Sequence, residues 1–472
     1  MAPNLENILL KVSKKTSPSC EEKSHLLALA DKLKQRVEKV IKSKGIDAET
    51  RVEGSVAKNT WLKDSPDVDI FIRVPLTVPL EVFGTLYLNV AKKAMQGAKQ
   101  IERFAEHPYL EAIMDDVRIN IVPCYRVEKG EWKSATDRTP FHTDYVKPLL
   151  DKELCNQIRL LKQFMKGIGV YGSEIKVGGF SGYLCELLVL FYGSFLQVLK
   201  ATSNWKTRIS IDLEDHYKGQ EDKLNQLFDA PLVVVDPVDK KRNAASAVRQ
   251  ECLDELLAAT RVFLDKPRID FFYPSKVKPF TIERLAQTMN KRGSNFIFIK
   301  FKGIESVPDI LWGQLYKSQR SLRKLVKRYD FKIIRDAVWS DEEDLNIFIL
   351  ELEQLQLPLM KMHLGPPLEK QSECERFLQK HIASTQTLSG PRTEEGRWIV
   401  GTMRRYTNAV KMLQVKLKDG GKGVGIAEFV SLALGKTFEI LVNEEIFPTY
   451  SFSSNFARFM TEYLQGKPIW LA

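Results

Sequence analysis

Residues 53–73 read EGSVAKNTWLKDSPDVDIFIR. A short strand, Glu49 to Glu53, is broken by Gly54-Ser55, and Val56 to Leu62 allow one or two helical turns. Val68 to Val74 then read as a second strand, stopped at Pro75. Strand side chains alternate, so Asp67 and Asp69 point to one face. Hard carboxylate oxygens suit a divalent cation such as Mg²⁺. Free N–H groups at the turn and the helix start suit a triphosphate. Two cations about 3.5–4 Å apart would clamp an in-line phosphoryl displacement. Each half also has a plain structural reading, as two solvated carboxylates on a sheet face and as a simple turn. Their order and spacing together point to phosphoryl chemistry.

Outward from this stretch, Ser19 to Lys44 predicts a long amphipathic helix. Glu21 and Glu22 sit in its first turn, where the helix dipole favours negative charge. Leu26, Ala30, Leu33, Val37, Val40 and Ile41 make one apolar stripe, and Gly45 stops the helix. A helical segment is expected near Leu80 to Gln100, and a strand over Val117 to Val122 ending at Pro123. These elements define an α+β first domain over residues 1–148. Residues 149–266 read as mainly helical, with apolar blocks at Ile158–Met165 and Tyr183–Leu199 and one strand-like piece, Leu232 to Val235. Residues 267–368 read as α+β, with strands at Phe296–Phe301, Phe331–Ile334 and Ile347–Leu352. Between them, Lys317–Arg328 (KSQRSLRKLVKR) predicts a basic helix. Residues 369–472 read as helical with polar loops, including a turn at Asp419–Gly425.

The 472 residues carry 71 Lys+Arg against 60 Asp+Glu, a net charge of +11. That excess favours a polyanionic partner such as nucleic acid or nucleotide. Hydrophobic residues at 44% and charged residues at 28% describe a globular chain rather than a disordered one. Tyr183 to Leu199 is interrupted by Glu186, Gly193, Ser194 and Gln197, so no transmembrane helix is expected. The opening residues lack a secretory signal pattern. The six cysteines include no C-x-x-C pair, which argues for reduced thiols, a cytoplasmic location and no thiolate zinc site.

The stretch resembles the G-S…[D/E]-x-D signature of the polymerase β-like nucleotidyltransferase superfamily. More closely, GSVAKNTWLKDSPDVDIFI resembles the head motif of archaeal-type (class I) CCA-adding enzymes, which are tRNA nucleotidyltransferases. Further blocks match in the family's order: AEHPYLEA, NIVPCY, SATDRTPFHTDYV, RLLKQFMKGIGVYGSE, VGGFSGYLCELLVLFYGSF and VVDPVDKKRNAA, with GRWIVGTMRRYT beyond them. The resemblance implies a head with a small antiparallel sheet, a helical neck, an α+β body and a helical tail. It implies Asp67 and Asp69 as Mg²⁺ ligands, and Gly54, Ser55 and Lys58 as triphosphate contacts. The family often has Arg where Lys58 stands, and Lys keeps the charge but not the bidentate fork. His142, Lys162 and Tyr171 match positions that touch the incoming nucleotide, and Arg242 matches the arginine that reads the base edge. Read without the family, these four are a turn histidine, a solvated lysine, a helix-end tyrosine and part of a basic surface run.

In one position the chain departs from the pattern. The third carboxylate of the family, a metal ligand, corresponds to Asn120. An amide is neutral and cannot accept the proton of an attacking hydroxyl, and loss of a positioned acid–base group costs about 10²–10⁴ in rate. Asp116 lies four residues before Asn120, about 13 Å along a strand, and Asp115 would face the other way, so neither is expected to replace the missing group. The resemblance implies addition of CCA to tRNA 3′ ends from CTP and ATP, impaired by Asn120. The alternative is an inactive tRNA- and nucleotide-binding paralog or trapped variant. The Lys317–Arg328 helix, with Arg404 and Arg405 beside Tyr406, would suit the phosphates of an A-form acceptor stem. The resemblance also implies a homodimer.

Overall fold

The computed structural model describes residues 3–104, 106–206 and 208–471. Ala105, the first residue of the AEHPYLEA block, lies outside the described residues. Two compact units divide the chain: Val277–Gly466 forms one, and the remaining described residues form the other.

The first unit begins with α1 (Pro3–Thr16) and α2 (Cys20–Ser43). Ser19 caps α2, its hydroxyl accepting from the Glu22 amide while the Glu22 carboxylate accepts from the Ser19 amide. The six-residue stripe read from the sequence is the buried face of this helix. β1 (Glu49–Glu53) and β2 (Asp67–Val74) follow as expected, whereas the helical turn expected over Val56 to Leu62 is shorter and starts earlier, as α3 (Gly54–Ala57). The expected helix near Leu80 to Gln100 is shorter: it tightens and widens through Leu80–Tyr87, settles into α4 (Leu88–Ala94), and gives way to β3 (Lys99–Phe104). β4 (Pro108–Met114) and β5 (Val117–Tyr125) complete a five-stranded sheet of order β1-β2-β5-β4-β3. It is mixed rather than purely antiparallel, because β2 and β5 run parallel. β5 runs on through Pro123, which sits opposite Ile72 on β2.

This sheet has two chemically distinct faces, as period-2 alternation requires. Val68, Ile70, Ile72, Ile119, Ile121, Leu110 and Ala112 point into one core with the α2 stripe and Val90, Ala91 and Ala94 of α4. Each buried Val, Leu or Ile side chain contributes about 1.5–3 kcal/mol. Glu53, Asp69, Asn120 and Glu111 occupy the other face in one lateral row, since the cross-strand pairs run Glu53↔Asp69, Asp69↔Asn120 and Asn120↔Glu111.

After α5 (Arg138–Val146) the same unit continues with α6 (Lys152–Gly167), α7 (Gly182–Tyr192) and α8 (Phe195–Ser203). Gly193 takes a left-handed conformation (φ +85°) at the end of α7 and splits the Tyr183–Leu199 block into two helices. The two helices meet at 88°, and no single helix among the described residues is long and apolar enough to cross a membrane. Their apolar side chains fill a second core with Phe164, Phe263, Phe271 and Phe272. A three-stranded sheet of β6 (Ile209–Asp212), β7 (Leu232–Asp236) and β8 (Asp239–Asn243), with α9 (Glu221–Leu227) between β6 and β7, and then α10 (Gln250–Asp265), complete this part. Trp470 stacks on Phe271 with ring centroids 5.1 Å apart.

The second unit contains α11 (Ile282–Asn290), β9 (Asn295–Phe301), α12 (Pro308–Arg328), β10 (Ile333–Ser340) and β11 (Asn346–Leu352). β12 (Met360–Pro367), α13 (Gln371–Ile382), β13 (Thr387–Glu394), β14 (Arg397–Met403), α14 (Ala409–Leu417), α15 (Glu428–Lys436), β15 (Phe438–Val442), α16 (Phe447–Phe452) and α17 (Ser454–Gln465) follow. The region after 369 is therefore not purely helical. β13 and β14 form a sheet with β12, and β15 pairs with β9 at the edge of the sheet β10-β11-β9-β15.

Candidate active site

The turn after β1 is shaped by Gly54. Its φ is +71°, and a Cβ there would lie 2.0 Å from Asp69 Oδ2. Glycine therefore satisfies both the backbone and the close approach of the carboxylate. Asp67 and Asp69 stand two apart on β2, facing the turn. Asp69 is half-buried, and Asn120 Nδ2 donates to its Oδ1 at 2.9 Å. Burial pushes the Asp69 carboxyl up to about 6, and the Asp67 charge adds to this. Burial also raises Asp67, against the pull of Arg118, whose Nε lies 3.6 Å away. Two carboxylates that resist being charged together are a place where a divalent cation relieves the repulsion. The donors, hard oxygens beside an unobstructed turn, fit Mg²⁺. Among the described residues no three His, Cys, Asp or Glu side chains are already grouped to hold a metal, and Asp67 and Asp69 are the pair in place.

A second cluster lies alongside. Lys58 is buried and pairs with Glu186 Oε2 at 2.5 Å. Lys162 lies 3.2 Å from Glu186 Oε1 and also donates to the Thr60 carbonyl and hydroxyl, each at 3.1 Å. The Thr60 hydroxyl donates to Glu186 in turn. Burial opposes charge on Glu186, but Lys58 and Lys162 overcome it and hold the carboxyl down at about 2. The three ammonium hydrogens of Lys162 are thus matched by three acceptors, whereas Lys58 donates to Glu186 alone among the described residues. Lys58 is the lysine with hydrogens to offer a ligand.

A third cluster centres on Asp236 at the end of β7. It lies 2.9 Å from His142 Nε2 and 2.6 Å from Arg242 Nη1, and accepts from the Tyr183 hydroxyl at 3.0 Å and the Val238 amide at 3.1 Å. Burial opposes its charge, but these partners win and keep the carboxyl well below the usual range. Burial lowers His142 despite its carboxylate partner. The imidazole stacks on Tyr183 with centroids 4.0 Å apart.

These clusters meet at one cavity of about 240 Å³. Of the ten residues singled out from the sequence, Gly54, Ser55, Lys58, Asp67, Asp69, His142, Lys162 and Tyr171 line it. Asn120 and Arg242 do not, and join through Asp69 and Asp236. The missing side chain of Gly182 makes room here: a Cβ would lie 3.1 Å from the Tyr171 hydroxyl and 3.4 Å from Lys162 Nζ. Sequence reasoning missed Glu186 and Asp236, the two buried carboxylates that hold its four predicted cationic or imidazole contacts. The available signal was a lone Glu within the apolar run YLCELLV, since an acid there is almost never buried without a partner. Glu53, also missed, is wholly buried 2.8 Å from Arg51. Burial pushes its carboxyl up to about 7. Asp115 and Asp116 are not on β5, as the sequence suggested for Asp116. They form the turn before it, both with positive φ.

A strand–turn–strand carrying paired carboxylates, facing a basic pocket on helices, defines the nucleotidyltransferase class. Residues 34–142 match the family model described as a nucleotidyltransferase domain. Residues 156–273 match "tRNA nucleotidyltransferase, second domain", and residues 292–443 match "CCA-adding enzyme, C-terminal domain". The chain is 35% identical to the CCA-adding enzyme of Methanosarcina barkeri, over 93% of this chain and 95% of that one. It is 37% identical to that of Methanothermobacter thermautotrophicus, over 90% and 92%, and 32% identical to that of Haloarcula marismortui, over 99% and 100%. The chain belongs to the CCA-adding enzyme family of tRNA nucleotidyltransferases.

Proposed function

We propose that this chain adds CMP, CMP and AMP to the 3′ end of tRNA without a nucleic-acid template, using CTP and ATP. The observation that carries the reading is the convergence of eight sequence-predicted residues on one cavity in a chain of this family. The 3′-oxygen bonds to the α-phosphorus while pyrophosphate leaves. Held by Asp67 and Asp69, Mg²⁺ would neutralise the reacting phosphate and acidify the attacking hydroxyl, with a second ion completing the clamp. Gly54 and Ser55 approach the triphosphate with backbone and hydroxyl. Lys58 donates to it, held in place by Glu186, and Lys162 adds positive charge behind it. His142 and Tyr171 contact the nucleotide. Arg242, held by Asp236, presents a planar donor array to the base edge.

The tRNA side of the reading rests on α12. Lys317, Arg320, Arg323, Lys324, Lys327 and Arg328 are exposed, while Leu322, Leu325 and Val326 are buried. That is a basic face on a packed helix. Arg405 is exposed above Tyr406, whereas Arg404 donates to the Met360 carbonyl at 2.7 Å, so Arg405 is the stronger phosphate candidate. The division into head (1–148), neck (149–266), body (267–368) and tail (369–472), and a homodimeric assembly, belong to the same proposal.

One observation favours a second reading. Asn120 stands where the family resemblance expects a carboxylate, which suits a protein that binds tRNA and nucleotide without turnover. Single-turnover extension of a tRNA lacking its CCA end, with Mg²⁺, CTP and ATP, separates the two. Ordered growth by C, C and A supports the enzyme. Extension only after Asn120→Asp supports the binding protein, and no extension by either form overturns CCA addition.

A further inference from the structure

The lateral row on the acid-bearing face does not stop at Asn120. Its next member is Glu111 on β4, the register partner of Asn120. Antiparallel partners lie side by side on one face, with Cβ atoms about 4.5–5.5 Å apart. Glu111 is buried, its side chain 9% exposed. Arg103 donates to its Oε1 at 2.9 Å. Its other oxygen, Oε2, lies 3.9 Å from Arg118 Nε. That same nitrogen lies 3.6 Å from Asp67 Oδ1. One cationic group is therefore already shared between Asp67 and Glu111, across the strand that carries Asn120.

Building on the reading of the site as a nucleotidyltransferase centre, we propose that Glu111 takes the part of the missing third carboxylate. From β4 it presents its charge, beside Asn120, to the cation held by Asp67 and Asp69. Glutamate carries one methylene more than aspartate, and the extra reach offsets part of the one-strand displacement. Arg118 is 56% exposed, so its guanidinium can turn to solvent when a divalent cation takes its place. Among the described residues the other nearby acids are placed less well: Asp115 and Asp116 are in the β4–β5 turn, and Glu53 lies beyond Asp69 on the far side of the row.

The test is a double-mutant cycle of Glu111→Gln and Asn120→Asp on the full chain. Mn²⁺ binding is read by electron paramagnetic resonance with a non-hydrolysable CTP analogue present, and tRNA extension by single turnover. In the parent, E111Q is expected to weaken Mn²⁺ binding and slow extension by at least about tenfold, the scale seen for groups supporting a metal site. In the Asn120→Asp background the same change is expected to cost less than about twofold, because a carboxylate again occupies position 120. Arg103→Gln breaks the Glu111 ion pair but keeps the carboxylate, and is expected to leave Mn²⁺ affinity within about twofold of the parent. Equal losses from E111Q in both backgrounds, or an Arg103→Gln variant that reproduces them, would overturn the proposal. A non-additive Mn²⁺ cycle with no extension by any form would keep Glu111 at the cation and sink CCA addition. Extension with an additive cycle would do the reverse.

Discussion

Gly54 is the residue whose replacement reaches the chemistry most directly. A methyl group there meets Asp69 Oδ2 at 2.0 Å and a backbone held at φ +71°. The turn or the carboxylate must move by an ångström or more, and a misplacement of that size costs on the order of 10²-fold in rate. Gly54→Ala is expected to fold, since the core lies on the opposite face of the sheet, and to lose about 10²-fold in single-turnover extension. A thermal melt within a few degrees of the parent, alongside the rate loss, distinguishes site damage from unfolding. Glu186 makes the contrasting case, because it binds protein charges. Its carboxyl is held at about 2 against an ordinary value of 4.5. A depressed value stabilises the folded chain above the ordinary value, and the contribution is lost as pH falls from about 4.5 towards 2. Glu186→Gln leaves Lys58 and Lys162 buried without their counter-charge, a loss of about 3–5 kcal/mol at neutral pH. Urea unfolding at pH 7 and at pH 3 checks this. The gap between parent and variant should be wide at pH 7 and narrower at pH 3, and a gap independent of pH would mean that Glu186 is not the charged member of the cluster.

At the scale of elements, legibility followed the match between local pattern and burial. α2 was readable because one stripe is apolar and the opposite side is charged, with caps at both ends. β2, β9 and β11 were readable because they are rich in β-branched and aromatic residues and lie inside their sheets. β3 was not: KQIERF shows no strict polar–apolar alternation and lies on an exposed edge, and its one firm signal, pairing with β4, is not local. β8 was hidden for the same reason, since DKKRN reads as a solvated charge run and becomes a strand by pairing with β7. The strands after 369 carry exposed Met, Leu and Thr in short runs, which resemble loops until a partner strand is known. The site divides in the same way. Asp67, Asp69, Gly54 and Ser55 share one short stretch and were legible from spacing. Glu186 and Asp236 do their work with partners up to 128 residues away, a distance no window of sequence spans. The substitute for a carboxylate at 120 was sought along the same strand, where Asp116 was expected, whereas the proposed one, Glu111, lies one strand sideways on β4.

For the whole molecule, the question is where a net charge of +11 meets a polyanion. In and beside the candidate cavity much of the positive charge is answered internally, with Lys58 and Lys162 answering Glu186 and Arg242 answering Asp236. Of the six basic side chains of α12, Arg323 pairs with Asp336. An electrostatic RNA footprint on this helix predicts that tRNA affinity falls steeply with salt, by roughly 0.7–0.9 in the log–log slope for each phosphate contacted. Replacing Lys317, Arg320 and Lys324 together by Gln removes up to three such contacts while leaving buried Leu322, Leu325 and Val326 untouched. The slope is expected to fall by about 2, with CTP and ATP affinity unchanged because the nucleotide cavity is lined wholly from the first unit. Filter binding over a range of salt, paired with nucleotide titration, reads both quantities on the same preparations. A slope that stays with the parent would place the tRNA footprint elsewhere. A loss of nucleotide affinity as well would mean that α12 acts on the site through the fold and not through phosphate charge.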